Sequence, residues 1–358
     1  MGWKVYVLTV DDDEEPANNR FDDVLCSIEG KRYITKPTNI LDGVFNNIQL
    51  FPPIASNAIE MIRENDINYI FHTAGPFSPL LSTIFIKRFT DTTHIIDMRD
   101  AWSVRPVDSS RRTAMGRIFD YISPRMESHV FHETDCVIMT TKMMKNAYSQ
   151  IYPSLSDKFK TIPNGYETER FHKYEPKYEE DFHIVCAGKF TYNGAVNAEP
   201  FIRAFKRFAD NNRNVKFSQY GGADQPLNES IKKYSLGSRF SRKGFVNSDV
   251  LIPVLKGANV GLVGARSKTE TATKLYEYMA CNIPILYIGP KDSSAAELLQ
   301  NCKHGYVSQP ENSERIYNHL QNLYDKSPKK LGAPDLEKFH RKELAKNLAE
   351  ILLNENNL

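Results

Sequence analysis

The sequence predicts an α/β protein with two Rossmann-like domains facing a central cleft. Three observations carry this. Apolar runs of strand length alternate with stretches of helical spacing along most of the chain. The alternation stops at a charged, aperiodic stretch, 171–181, and then starts again. At 358 residues the chain is longer than one typical domain. Alternating strand and helix favours a parallel sheet with helices on both faces.

The elements follow in order. Residues 4–10 alternate apolar and polar side chains and read as a first strand, and 11–19 as an acidic loop. Helical spacing over 55–63 precedes a strand at 67–71. A helix is predicted over 79–89, a strand over 94–97, a helix from about 115 to 132, and a strand over 137–140. After the break come strand 182–186, helix 199–209, strand 215–220 and a Gly221-Gly222 turn. Helix 226–234, an irregular strand 240–246, helix 249–256 and strand 260–263 complete the run before a helix and buried strand within 271–288. A long amphipathic helix, 336–354, ends the chain. This gives a first domain over 1–170, a linker over 171–181, a second domain over 182–335 and a terminal helix within 336–358.

Composition narrows the function. Net charge is +2 and no basic stripe with interleaved aromatics stands out, which argues against a nucleic-acid partner. No apolar run approaches a membrane span, and the N-terminus turns acidic too soon for a signal peptide. Tyr6 stands where a myristoylation signal needs Ser or Thr. The five cysteines are scattered and form no Cys-x-x-Cys pair, as expected of reduced thiols in a cytoplasmic protein without a metal site.

Ligands of such sheets bind beyond the carboxyl ends of strands, so residues just past a strand are the candidates. Within 271–288, Leu275, Tyr278 and Met279 share one helical face, and Pro284 closes the helix. Thr271 and Thr273 are candidate N-caps, and the free N–H groups at that end favour an anion. Glu277 lies one turn further in, where a carboxylate can accept from a diol such as ribose. Phosphate at the tip and sugar hydroxyls one turn down suit a nucleotide. The alternative is an ordinary surface helix with Lys274 and Glu277 paired. Lys189 follows Gly188 at another strand end. In the first half, Arg99 and Asp100 follow a strand, either as ligand contacts or as part of a structural Asp–Arg pair. His72 and Gly75 follow another, with Gly75 allowing close approach of a ligand and His72 open to a core role. His129 and His132, near Glu127 and Glu133, lack a third ligand and read as a solvated helix face. Residues 102–125 carry Arg105, Arg111, Arg112, Arg117 and Arg125 among Met115, Ile118, Phe119 and Ile122. That pattern suits either contact with an anionic membrane or the polar face of a core helix.

The wording of these segments is similar to a known family. The run 274–280, Lys-Leu-Tyr-Glu-Tyr-Met-Ala, followed by Asn-Ile-Pro-Ile-Leu, resembles the nucleotide-sugar motif of retaining GT-B glycosyltransferases of the GT4 type. Asp-Met-Arg-Asp-Ala-Trp at 97–102, Thr-Ile-Pro-Asn-Gly at 161–165 with Phe171 after it, and Val-Cys-Ala-Gly-Lys at 185–189 resemble further family motifs in the same order. The resemblance implies a nucleotide diphosphate sugar as donor, a glycan or lipid-linked acceptor, retention of configuration and no metal or other cofactor. It implies that Glu277 binds ribose hydroxyls and that Lys189 neutralises the donor diphosphate. It also implies that the backbone near Phe245 and Val246 reads the base, and that Thr273, Lys274 and Leu275 lie against the donor. Arg99, Asp100 and Lys189 become the catalytic candidates, and His72, Gly75 and Asp100 the acceptor side. The terminal helix would return to the first domain. Two departures stand out. Thr269 occupies the place of a second family Glu, with Glu270 as the neighbour able to replace it. Asn193 or Gly194 occupies the place of a second basic residue, leaving Lys274 to supply that charge. A sugar-nucleotide 2-epimerase of the same fold and a non-catalytic sugar-nucleotide-binding subunit remain alternatives.

Overall fold

The computed structural model describes residues 3–10, 26–34, 48–104, 114–192, 196–303, 305–326 and 336–355. The chain divides into two compact units, one of Met1–Ile162 with Ala345–Leu358 and one of Pro163–Leu344.

In the first unit, β1 (Trp3–Val10) and β2 (Cys26–Ile34) pair in parallel. Then follow α1 (Phe51–Asn65), β3 (Tyr69–Thr73), α2 (Ser82–Phe89), β4 (Thr93–Met98), α3 (Ala114–Glu133), β5 (Cys136–Met139), α4 (Lys142–Ile151) and β6 (Phe159–Thr161). β3 to β6 form a parallel sheet in chain order. β5 is buried at every position and β4 at all but its first, which is why both read as nearly unbroken apolar runs. Ile96, Met98, Val137 and Met139 pack with Leu80, Phe131, Tyr148 and Phe159. Local signals set the helix ends. α1 begins with prolines in its first turn and stops at Asp66, whose φ is 49°. Thr141 caps α4 by accepting from the Met144 N–H.

The second unit opens with α5 (Thr168–His172) and continues β7 (Phe182–Ala187), α6 (Glu199–Asn211), β8 (Val215–Tyr220), α7 (Gln225–Lys233), β9 (Phe240–Gly244) and α8 (Ser248–Gly257). It then runs β10 (Val260–Gly264), α9 (Thr273–Ala280), β11 (Ile285–Ile288), α10 (Ser294–Asn301), β12 (Gly305–Ser308) and α11 (Ser313–Lys326). All strands are parallel, in the order β12-β11-β10-β7-β8-β9. Chain direction across the sheet reverses between β7 and β10, so the topological switch point lies there. Successive β7 side chains alternate faces. Ile184 and Cys186 join Phe201, Phe205 and Phe217 on one side, while Val185 and Ala187 join Leu275, Tyr278 and Met279 on the other. The last helix, α12 (Arg341–Glu355), starts in this unit, and its residues from 345 onward group with the first.

Two expectations are corrected here. The stretch 171–181 belongs to the second unit, because Phe171 is buried against Tyr166 and the Lys177 N–H donates to the Pro253 carbonyl. The irregular strand expected over 240–246 ends at Gly244 after a register shift between Gln219 and Tyr220.

Candidate functional site

The carboxyl ends of β7, β8 and β9 are built from glycine. Gly188, Gly221 and Gly244 adopt φ of +88°, +110° and +67°, values that L side chains rarely tolerate. The Gly188 N–H donates to the Tyr220 carbonyl at 2.7 Å, and the Gly221 N–H to the Gly244 carbonyl at 2.6 Å. A Cβ on Gly221 would lie 3.3 Å from the Gly188 Cα, so the loops nest with no side chain between them. Buried Gln219 donates to the carbonyls of Gly188 and Gly222, both at 2.9 Å. Across the switch point, a Cβ on Gly264 would lie 2.4 Å from the Phe190 carbonyl oxygen, which seats the end of β10 against the same loop.

Two lysines and two aromatic rings meet at these glycines. Lys274 Nζ donates to the Lys189 carbonyl at 3.3 Å and sits 4.9 Å from the Tyr192 ring centroid. A Cβ on Gly222 would touch the Phe245 ring at 3.5 Å and Lys189 Cε at 3.6 Å. Phe245 is 87% exposed. Cys186 lies beneath, its thiol pushed up to about 11 by burial, so it stays protonated at neutral pH. Tyr192, Gln219 and Gly221 were not singled out as site residues from sequence. Only the Gly221-Gly222 doublet carried a signal, and it read as a turn.

α9 brings its own end to this place. Its N-cap is Ala272, with no side-chain cap, so neither threonine plays the expected part. Thr271 is buried with its hydroxyl 3.3 Å from Tyr276 OH, and Thr273 is exposed. First-turn N–H groups without a capping side chain favour an anion. Lys274 reaches to the neighbouring loop, and no ion pair joins it to Glu277 among the described residues. Glu277 is half-buried one turn further along. The Leu275 side chain is wholly buried in the core and its N–H donates to the Ala272 carbonyl. Glu270 is half-buried, its N–H on Ser267 Oγ at 3.2 Å, and Val246 packs on the core. Asn193 and Gly194 lie outside the described residues.

In the first unit the carboxylate partner of Arg99 is Asp97. Arg99 Nε donates to Asp97 Oδ2 at 2.6 Å, while Asp100 is exposed. Burial raises the Asp97 pKa, and Arg99 opposes that shift. Glu127, expected on a solvated face, is fully buried and accepts from Ser103 N–H, Ser103 Oγ, Tyr148 OH and Tyr152 OH. It thereby holds the segment after Arg99-Asp100, whose Trp102 stacks on Phe77 with centroids 5.5 Å apart. His72 stacks beside His94 at 6.3 Å, and burial lowers its pKa to about 4, so it is neutral at pH 7. Gly75, at φ +127°, has open space where a side chain would be. His129 and His132 are exposed, as expected. Of the basic segment, 105–113 lie outside the described residues. On α3, Ile118, Tyr121 and Ile122 are exposed, and Arg125 stacks on Tyr121 at 4.6 Å.

Comparison with known proteins fits this geometry. Residues 167–335 match the glycosyl transferases group 1 model, and residues 1–170 the glycosyltransferase family 4 model. The chain belongs to the GT4-type, group 1 glycosyltransferases, and its two Rossmann-like units are of the GT-B class. No curated protein matches the sequence. Sucrose-phosphate synthase of Thermosynechococcus elongatus is similar in fold, at 15% identity over 90% of this chain and 83% of that one, with a TM-score of 0.68. A glycosyltransferase of Rickettsia africae is similar at 13% identity over 98% of each chain, TM-score 0.66. HepE of Anabaena in complex with UDP is similar at 13% identity over 98% of this chain and 100% of that one, TM-score 0.68. HepE is also known with UDP-glucose, at 13% identity, 98% and 99% coverage and TM-score 0.65.

Proposed function

We propose that this glycosyltransferase uses a nucleoside diphosphate sugar, retains the anomeric configuration and needs no metal ion. The observation that carries the donor reading is the meeting of Lys189, Lys274 and Phe245 over the glycine-lined strand ends, beside the uncapped start of α9. Cations and backbone N–H groups at a strand end suit a diphosphate, and an exposed ring suits a base. Glu277 is assigned to the ribose hydroxyls and Glu270 to hydroxyls of the donor sugar. HepE binds UDP and UDP-glucose, so a uridine donor is the first to try.

In this reading the bond between the anomeric carbon and the diphosphate oxygen breaks as the acceptor oxygen bonds to the same face. The departing phosphate oxygen takes the acceptor proton. Catalysis then rests on positioning and on stabilising the growing negative charge, a task assigned to Lys189. Arg99, Asp100, His72 and Gly75 are assigned to a glycan or lipid-linked acceptor. Exposed Ile118, Tyr121 and Ile122 with Arg125 support a membrane-facing α3, and hence a cytoplasmic protein peripheral to a membrane. No helix among the described residues is long and apolar enough to cross one.

Thermal melting with UDP, GDP, ADP and TDP and their common sugars tests the donor site. One nucleotide should raise the wild-type melting temperature, by about 2.7 kcal/mol of added stability at a hundredfold excess over Kd. Glu277→Ala should lose most of that rise. No shift from any nucleotide at millimolar concentration would sink the donor assignment.

A further inference from the structure

The start of α7 holds an aspartate that does not cap its own helix. Asp224 is the N-cap residue of α7, yet its carboxylate accepts nothing from that helix. A capping aspartate is worth about 1 kcal/mol, so a side chain turned elsewhere needs another reason. Asp224 is 1% exposed. Its Oδ2 accepts from the Phe190 N–H at 2.7 Å and the Thr191 N–H at 2.8 Å, and its Oδ1 from the Thr191 hydroxyl. Phe190 and Thr191 are the residues after Lys189, and both are wholly buried.

The whole run 188–191 is therefore held by side chains from other elements. Gln219 takes the Gly188 carbonyl, Lys274 the Lys189 carbonyl, and Asp224 the N–H groups of Phe190 and Thr191. Three hydrogen bonds from buried donors to one carboxylate are strong and directional. Such a carboxylate placed near a diphosphate site has its charge taken up by buried donors. It fixes the backbone from which the Lys189 side chain departs.

We infer that Asp224 is a positioning residue for the diphosphate. It acts through the 188–191 loop and sets the diphosphate part of donor affinity without touching the ligand. The inference rests on the donor-site reading above.

The test separates diphosphate binding from nucleoside binding. Titration calorimetry with UDP and with uridine is run on wild type, Lys189→Ala, Asp224→Asn and Thr191→Val. Asn keeps the size of Asp but can accept on only one atom. For Asp224→Asn, UDP affinity should fall by about tenfold or more, as when a charge-assisted hydrogen bond of the loop is lost, while uridine affinity stays within about twofold. Lys189→Ala should show the same selective loss. Thr191→Val removes one hydroxyl donor and keeps both N–H donors, so it should lose less UDP affinity in the same selective way. It also serves as the readout if Asp224→Asn fails to fold. Equal losses for UDP and uridine in Asp224→Asn or Thr191→Val would reduce Asp224 to a general structural role and overturn the inference. So would an unchanged UDP affinity in folded Asp224→Asn. If wild type binds neither UDP nor any of GDP, ADP and TDP, the donor-site reading fails first and this inference falls with it.

Discussion

Phe245 is a large apolar ring left 87% exposed at the edge of the glycine loops. Exposure of that kind adds little to folding, and in the donor-site reading the ring's energetic role is in binding the base. Phe245→Ala should leave the unfolding free energy within about 0.5 kcal/mol of wild type. It should weaken nucleoside and nucleotide alike by about 1 to 3 kcal/mol if the ring stacks on the base. Parallel denaturation and titration check this, and an unchanged uridine affinity would remove the ring from the base pocket. The contrast with Lys189→Ala, which should spare uridine, separates base from diphosphate. Lys189, Lys274 and Phe245 were legible in the sequence because each sits in a short run with a recognisable wording. Tyr192, Gln219 and Asp224 were not, because what places each of them at the site is contact with a residue distant in sequence. Glu127 misled for a related reason. Helical spacing gives a residue's face, and it is the Ser103 N–H with the hydroxyls of Ser103, Tyr148 and Tyr152 that makes a buried carboxylate tenable there.

At the scale of elements, the Ile-Pro-Asn-Gly run has a plain steric cause. Asn164 donates to the Thr271 carbonyl at 3.1 Å, tying this turn to the segment before α9. A Cβ on Gly165 would lie 2.2 Å from the Phe339 carbonyl oxygen, where Tyr166 and His340 form a parallel bridge. The Tyr166 N–H donates to the Phe339 carbonyl at 3.1 Å and the Arg341 N–H to the Tyr166 carbonyl at 3.0 Å. Gly165→Ala must push these backbones apart and should cost about 1 to 3 kcal/mol, the range for overpacking. Urea unfolding would measure it, and a loss below about 0.5 kcal/mol would show that the turn yields freely. Strands such as β5 and β11 were legible because they are buried throughout and so read as apolar runs. β6 has only three residues, and β12 is half-exposed at the sheet edge, so neither leaves such a run. The residues of 171–181 looked like a linker because their anchors follow no period of their own. These are the buried ring of Phe171, the Tyr174 ring, the Lys177 N–H and the Glu179–Lys216 ion pair, the last two reaching residues distant in sequence.

At the scale of the whole molecule, both units bury neutral histidine. His94 is fully buried, and neither ring nitrogen has a hydrogen-bond partner among the described residues. Burial, with His72 and Lys87 nearby, lowers its pKa to about 3. His183 in the second unit is buried on β7, its Nε2 2.8 Å from Ser218 Oγ, and burial lowers its pKa to about 4, as it does for His72. The ordinary histidine value is about 6.5, so between pH 6.5 and 4 the unfolded chain binds protons that the folded chain refuses. Stability is therefore full above about pH 6.5 and is lost as pH falls toward 4, with each tenfold difference in proton affinity worth about 1.4 kcal/mol. Asp97 and Glu127, whose carboxyls burial pushes upward, act in the opposite sense and blunt the slope. Replacing one histidine isolates its share. His94→Leu removes two unpartnered nitrogens from the core, so at pH 7 it should be at least as stable as wild type. Its stability should also fall less steeply than that of wild type between pH 6.5 and 4, in urea titrations at half-unit steps. Parallel curves for the two proteins would show that His94 is already protonated, or already paired, in the folded chain.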